Sequence, residues 1–355
     1  MSSFWQWMRD FHFRAVQNGD FERQQLAILW ERSVELSYES PDQKLAILDQ
    51  AGALARRLNE PYWDLFFDHW KIEVLLYEKH QPAAALKLAA RAAFEVRKPI
   101  YDAFAYRPQI TLSLTACYLK TDPLGYEKPL REAFEYARAQ CQSDEELRPY
   151  FAQQWSRFLE AVGAPDAVEA NWQHLYAAYQ SGTEHYVLFA LVHLCSTLAS
   201  YDLPAARAHI GEFSAVGLEL CRIEERDREA AVFTMWAAVA ARWDGDEARA
   251  AQLYKRAWEM QKRLTSPHNA IQFAATLYHE EASESEEALR IVEDEIAVLR
   301  AHELEFLEAK RRLKQIELLQ RLGRDAAVAV TRLRLVASGL KSREHWEGEL
   351  RKLQK

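Results

Sequence analysis

Glycine and proline are scarce in this sequence, at 11 each among 355 residues. Few residues therefore interrupt a helix, and the abundant Ala, Leu, Glu, Arg and Gln favour one. No window alternates apolar and polar residues with period two, so no sheet is expected. No apolar run approaches the roughly 18 residues that a bilayer-spanning helix needs. The opening stretch MSSFWQWMRDFHFRAV has aromatics but no basic segment leading into an apolar one, and does not read as a secretory signal. Cysteine is limited to Cys117, Cys141, Cys195 and Cys221, far apart and without a CxxC pair. They read as reduced, mostly buried thiols of a cytoplasmic protein.

The signatures of common chemistries are missing as well. The 11 His include no HExxH and no cluster with Cys at metal-ligand spacing. His185 and His193 stand eight apart, about 80° round a helix, and do not pair. Gly182-Thr183 comes nearest to a phosphate loop but belongs to neither GxGxxG nor GxxxxGKS/T. No GxSxG elbow is present, and no Cys sits in a nucleophile motif. Glu224-Glu225, Glu280-Glu281 and Glu286-Glu287 lie in polar or helix-starting contexts, where solvation and the helix N-terminus account for them. The sequence thus reads as no enzyme, with no metal site and no cofactor. A net charge of −8 argues against a general nucleic-acid binder. One helix before the first regular pair is too little for a helix-turn-helix domain.

What the sequence does contain is a ladder of breaks. Within successive helix pairs they fall at Ser40-Pro41, His80-Gln81-Pro82, Asp122-Pro123, Gly163-Ala164-Pro165, Asp202-Leu203-Pro204, Gly245-Asp246, Ser283-Glu284-Ser285 and Gly323-Arg324. The interval is about 40 residues, as a two-helix repeat requires. A second set separates the pairs: Asn59-Glu60-Pro61, Lys98-Pro99, Gln142-Ser143-Asp144, Ser181-Gly182-Thr183, Ile223-Glu224-Glu225, Ser266-Pro267 and Ala301-His302. Two interleaved ladders predict an all-α solenoid of about eight antiparallel helix pairs over residues 20–340. A capping helix within 1–19, with Phe4, Trp5, Met8, Phe11 and Ala15 on one stripe, precedes it, and another within 341–355 closes it. Pro108, inside the Tyr101–Tyr118 pattern, should kink that helix or shorten its start.

The most regular stretch is Phe233–Met260, FTMWAAVAARWDGDEARAAQLYKRAWEM. Ala238 lies on its first helix, Gly245-Asp246 makes the turn, and Ala250, Tyr254 and Ala257 share a face of the second. Small residues let two antiparallel helices approach, with the aromatic filling the notch between them. The stretch resembles a tetratricopeptide repeat. The family's early aromatic falls on Thr234 and its closing proline on Lys262, with Pro267 soon after. Ala85, Ala89 and Ala92, and Leu130, Phe134 and Ala137, repeat the grammar weakly. The long period is similar to that of bacterial tetratricopeptide-like regulators that sense peptides. The resemblance implies a right-handed superhelix, but no motif carries over a DNA-binding domain or a phosphatase activity.

The same register places Met235, Val239 and Arg242 on the concave face. Aligning Gly163 with Gly245 adds Tyr150, Gln153, Arg157 and Glu160. An aromatic, an amide and an Arg facing a groove suit an extended or helical peptide of acidic character. Asn18, Asn59, Asn171 and Asn269 fall near breaks or on second helices, which disfavours a clamp for paired carboxylates. The expected function is a cytoplasmic, non-catalytic scaffold binding a protein or peptide within a complex. Alternatives are a regulator whose superhelix changes shape on binding, and an accessory subunit of an enzyme or signalling system. From Lys310 onward, 13 Lys and Arg face 5 Asp and Glu, after an acidic stretch from Glu280 to Glu308. This asymmetry suggests self-association or an anionic partner. Of the 42 aromatics, 31 precede residue 190, which reads as thick packing in the first half.

Overall fold

The computed structural model describes residues 3–36, 40–142, 144, 147–263 and 269–353. A leading helix α1 (Ser3–Gln17) is followed by α2 (Phe21–Glu35), α3 (Pro41–Arg57), α4 (Pro61–Glu73), α5 (Pro82–Glu95), α6 (Arg107–Thr121), α7 (Glu127–Gln142), α8 (Leu147–Ala161) and α9 (Ala167–Gln180). Then come α10 (Glu184–Tyr201), α11 (Leu203–Ile223), α12 (Asp227–Trp243), α13 (Glu247–Gln261), α14 (Asn269–Glu281), α15 (Ser285–Ala301), α16 (Glu305–Arg321), α17 (Ala327–Ala337) and α18 (Arg343–Leu353). Among the described residues there is no strand. Helices α2 to α17 form the eight pairs predicted from the breaks. Ser143, Ser266 and Pro267 lie outside the described residues, as do the side chains of Phe4 and Trp5.

The breaks act through ordinary capping chemistry. Asp20, Asp202 and Asp246 accept hydrogen bonds from the backbone N–H groups of Arg23, Ala205 and Arg249, satisfying donors at the starts of α2, α11 and α13. Proline opens α3, α4 and α5, where its missing N–H costs nothing. Gly245 closes α12 with a φ of 78°, a conformation that a side chain would strain. Pro108 sits in the first turn of α6, which begins only at Arg107; Pro99–Tyr101 forms a separate 3-10 turn. The helix is shortened rather than kinked.

Most consecutive helices pack on one another, and first helices of successive pairs also touch: α4 on α6, and α10 on α12 on α14. The chain divides into two compact units, residues 1–154 with 302–304, and residues 155–301 with 305–355. The division falls inside α8. In the first unit Trp63, Phe66 and Phe67 are fully buried. Trp7 lies 5.2 Å from Trp63 between ring centroids, and Tyr62 stacks on Phe104 at 4.6 Å. The second unit buries Ala231, Ala238, Ala250, Ala257, Ala274 and Ala275 completely, with Phe233 and Trp236 as its large members.

In the Phe233–Met260 hairpin the small residues pack as expected. Tyr254, however, stacks on Tyr278 of α14 at 4.6 Å, so it fills a notch toward the next pair. Thr234, in the early aromatic position, is buried and donates its hydroxyl to the Ala230 carbonyl.

The charge asymmetry near the end of the chain is used internally. Glu280 pairs with Lys314 at 2.7 Å and Arg321 at 2.9 Å. Arg324 reaches Glu286 at 2.6 Å, and Arg311 reaches Glu295 at 2.7 Å. These pairs, within one unit, take up part of the charge that suggested self-association through residues 280–308 and 310–355.

Candidate ligand-binding surface

The residues singled out from the central register do not line an open surface. Met235 and Val239 are fully buried. Helix α12, which carries them, is packed against α10, α11, α13 and α14, so its faces are covered. The guanidinium of Arg242 lies 3.9 Å from the centroid of the Tyr278 ring and pairs with Glu247 at 3.3 Å. It ties α12 to α14 and to the start of α13. The groove assignment fails for these residues because the second unit encloses this helix on more sides than one repeat in isolation suggests.

The residues chosen on α8 fare differently. Tyr150, Gln153 and Arg157 are each half-buried. Tyr150 and Gln153 belong to the first unit and Arg157 to the second. Burial pushes the Tyr150 phenol well above its ordinary range, and electrostatic interaction with Tyr77 and Glu73 adds to it.

In the second unit a polar cluster forms where α8, α9 and α10 meet. Glu160 Oε1 accepts a hydrogen bond from Asn171 Nδ2 at 2.7 Å and another from the Thr197 hydroxyl. The Tyr201 hydroxyl donates to the Glu160 carbonyl at 2.9 Å. One side chain thus ties three helices. Burial raises the Glu160 carboxyl, while Thr197, Asn171 and the charges of Arg157 and Lys310 pull it back. Arg157 precedes Glu160 by three residues, His174 follows Asn171 by three, and His193 precedes Thr197 by four. Because α8, α9 and α10 alternate in direction, these three fall one turn along on the same side. The His174 and His193 rings are indeed 6.3 Å apart.

Several groups of this cluster have no protein partner. His174 is almost fully buried, and neither ring nitrogen has a hydrogen-bond partner. Burial, and then the Arg157 charge, drive its pKa down to about 4. Asn171 Oδ1 is likewise unpartnered. Arg157 forms no ion pair or hydrogen bond among the described residues, although Glu160 stands one turn away. Lys310, on α16, reaches solvent and also forms no ion pair among them. Protein nonetheless surrounds it closely: burial and the Arg311 charge lower its pKa, opposed by Glu160 and Glu295. Glu295 itself is buried and committed to Arg311.

Of this cluster, the repeat register of the sequence singles out Arg157 and Glu160. It missed Asn171, set aside for lying on a second helix, and His174, three residues beyond it. It also missed Lys310, which stands far away in the chain. The spacing of Arg157 to Glu160 and of Asn171 to His174 was legible; their convergence was not.

Elsewhere the four cysteines are buried, and burial pushes Cys141 and Cys221 up to about 12. Among the described residues, no group of three or more His, Cys, Asp or Glu is placed to hold a metal ion, and no helix is long and apolar enough to cross a membrane. No protein-family model matches the chain, and no curated protein matches it.

Proposed function

We propose that the chain is a non-catalytic, tetratricopeptide-like scaffold whose eight helix pairs coil into a right-handed superhelix, and that its second unit binds a protein or peptide segment of acidic character. Arg157 and Lys310 carry this reading. Each presents a cation without an ion pair among the described residues, beside a carboxylate, Glu160, that is already held by Asn171 and Thr197. A carboxylate-bearing segment would gain charge-assisted hydrogen bonds there. Buried polar groups without partners, at His174 and Asn171, sit next to that position. No reacting constellation stands on the same surface: His174 lacks both a nucleophile and an orienting carboxylate in hydrogen-bond contact.

The test is selection from a displayed random-peptide library on the purified chain, beside Arg157→Glu and Lys310→Glu. Wild type should enrich sequences with Asp or Glu, and synthetic copies should bind each variant about tenfold or more weakly, as expected for losing a charge-assisted bond. Failure to enrich any sequence, or enrichment insensitive to both variants, sinks the reading.

A further inference from the structure

The first unit contains a second unusual group, Glu73. Helix α4 ends at this residue, and the backbone then widens into a π turn, Val74–Glu78. Such turns are rare and frequently fall at functional sites. This one carries Tyr77, and the Lys120 ammonium lies 4.5 Å from the centroid of its ring. One end of the same interface is pinned by His69 Nδ1 and the Ser113 hydroxyl, 2.7 Å apart. α4 and α6 are both first helices of their pairs and run the same way. Between those two contacts Glu73 therefore lies alongside Cys117. Tyr150 of α8 stands within electrostatic reach of Glu73, Tyr77, Tyr106 and Cys117.

In this setting Glu73 is an acceptor without a donor. Its Oε1 is closed off from solvent and accepts no hydrogen bond, and the side chain forms no ion pair among the described residues. Gln109 Oε1 and Gln154 Oε1, in the same unit, are also unpartnered. Lys120 does not supply what is missing. Its charge favours the ionised carboxylate, but burial dominates and raises Glu73 to about 7. A buried carboxylate in want of a donor, beside aromatic rings whose faces attract cations, has a definite complement.

The geometry points to a binding site for an organic cation bearing N–H donors, a primary ammonium or a guanidinium, held by the Glu73 carboxylate with the rings of Tyr77 and Tyr150 beside it. Glu73, Tyr77 and Tyr150 are each half-buried. The site is independent of the acidic-segment reading of the second unit. Binding requires ionised Glu73, so a cation arriving near neutral pH displaces a proton to solvent. Of the groups facing Glu73, His69 titrates at about 3, and burial holds Cys117 and Tyr150 far above neutrality, so none of the three contributes to that proton.

Calorimetry on the full chain at near-neutral pH tests this with three probes: 1,5-diaminopentane, the tripeptide acetyl-Ala-Lys-Ala-amide, and tetramethylammonium. Wild type should bind one of the first two saturably and release protons, seen as a heat that differs between buffers of different ionisation enthalpy. Glu73→Gln should weaken that binding about tenfold or more, and tetramethylammonium, lacking N–H donors, should be similarly weak. Tighter binding of the diamine identifies a free amine as the ligand; tighter binding of the tripeptide identifies a lysine side chain. Glu73→Gln removes an unpaired charge and should fold, which circular dichroism checks. Should it not fold, proton release by wild type alone decides. Equal affinity in Glu73→Gln, binding without proton release, tetramethylammonium binding as tightly as the donors, or no saturable binding of any probe overturns the proposal.

Discussion

The two units solve one packing problem with different materials. In the first, Trp63, Phe66 and Phe67 lie together at zero exposure, and Trp7, Tyr62 and Phe104 continue the ring contacts outward. Large rings fill this core beside the fully buried Ala51, Ala55, Ala85, Ala89 and Ala92. In the second, α12 and its neighbours meet through Ala231, Ala238, Ala250 and Ala274, and Gly217 stands directly against the Phe233 ring. Helices of similar length and similar breaks thus reach the same enclosure with different proportions of large rings and small residues. The break pattern governs the pairing, while residue volume governs how closely pairs approach.

The difference is sharpest under truncation. Trp63→Ala should cost about 4 kcal/mol, because the packed rings around it cannot collapse into the space left. Urea denaturation followed by circular dichroism measures it. A loss below about 1 kcal/mol would mean that the first unit's aromatics are loosely arranged, which would break the contrast.

His69 in the first unit and His174 in the second are both almost fully buried, and the two are held differently. His69 is hydrogen-bonded to Ser113 and held down to about 3; His174 has no partner and is held down to about 4. Both are depressed below the ordinary 6.5, so each favours folding when neutral. That contribution is present above pH 6.5 and is lost as pH falls through the folded-state values. For His174 it amounts to about 3 kcal/mol. His174→Leu should therefore improve stability at pH 5 with little change at pH 8. His69→Leu removes one of the Ser113 hydroxyl's two partners, leaving the Gln109 carbonyl, and should cost about 1 kcal/mol at pH 8. Equal responses of the two variants across pH would remove the distinction.

Much of this architecture was written in local signals. Asp246 caps α13, Gly245 takes a left-handed turn, and Pro108 delays α6, all as residue chemistry dictates. Those effects need only a few neighbouring residues. The surface was less legible for the same reason. Met235 and Val239 fit a concave register, but whether a helix face is covered depends on helices far away in the chain. Lys310 approaches Glu160 across about 150 residues, and no periodicity encodes that. Tyr254 packs as its register implies, but in a different notch, since its partner Tyr278 belongs to the next pair.

The two buried carboxylates give a further contrast. Burial raises both Glu73 and Glu160, but Glu160 is held by Asn171 and Thr197, whereas Glu73 has an oxygen without a partner. A carboxylate raised from 4.5 to about 7 keeps its proton on folding, so its ionised form weakens the fold as pH rises through that interval. Glu73→Gln should then stabilise the unliganded chain by about 2 kcal/mol above pH 7, with the gain vanishing below pH 4.5; partial exposure of the side chain reduces it from the full linkage value. Glu160→Gln should not stabilise, because it disturbs the bonds joining α8, α9 and α10. Thermal melts of both variants at pH 4.5 and pH 8 separate the cases. Stabilisation of both, or of neither, would place the two carboxylates in the same class.

The finest probe adds a single carbon to each unit. A Cβ on Gly52 in α3 would meet nothing nearer than 3.5 Å, from the Arg56 and Asp64 side chains. A Cβ on Gly217 in α11 would come within 2.5 Å of the Phe233 ring. Both glycines lie within helices, where alanine is intrinsically better by about 1 kcal/mol. At Gly52 that advantage stands almost alone, and Gly52→Ala should stabilise by about 0.5 kcal/mol or more. At Gly217 the ring must move in a core whose neighbouring alanines leave no slack, at a cost of about 1–3 kcal/mol. The cost outweighs the helical gain, so Gly217→Ala should destabilise by about 1 kcal/mol. The substitution is the same and the expected signs are opposite, so denaturation midpoints need not be accurate in magnitude to decide. A stabilising Gly217→Ala would show that Phe233 has room to turn, and that close approach is not what holds α11 against α12.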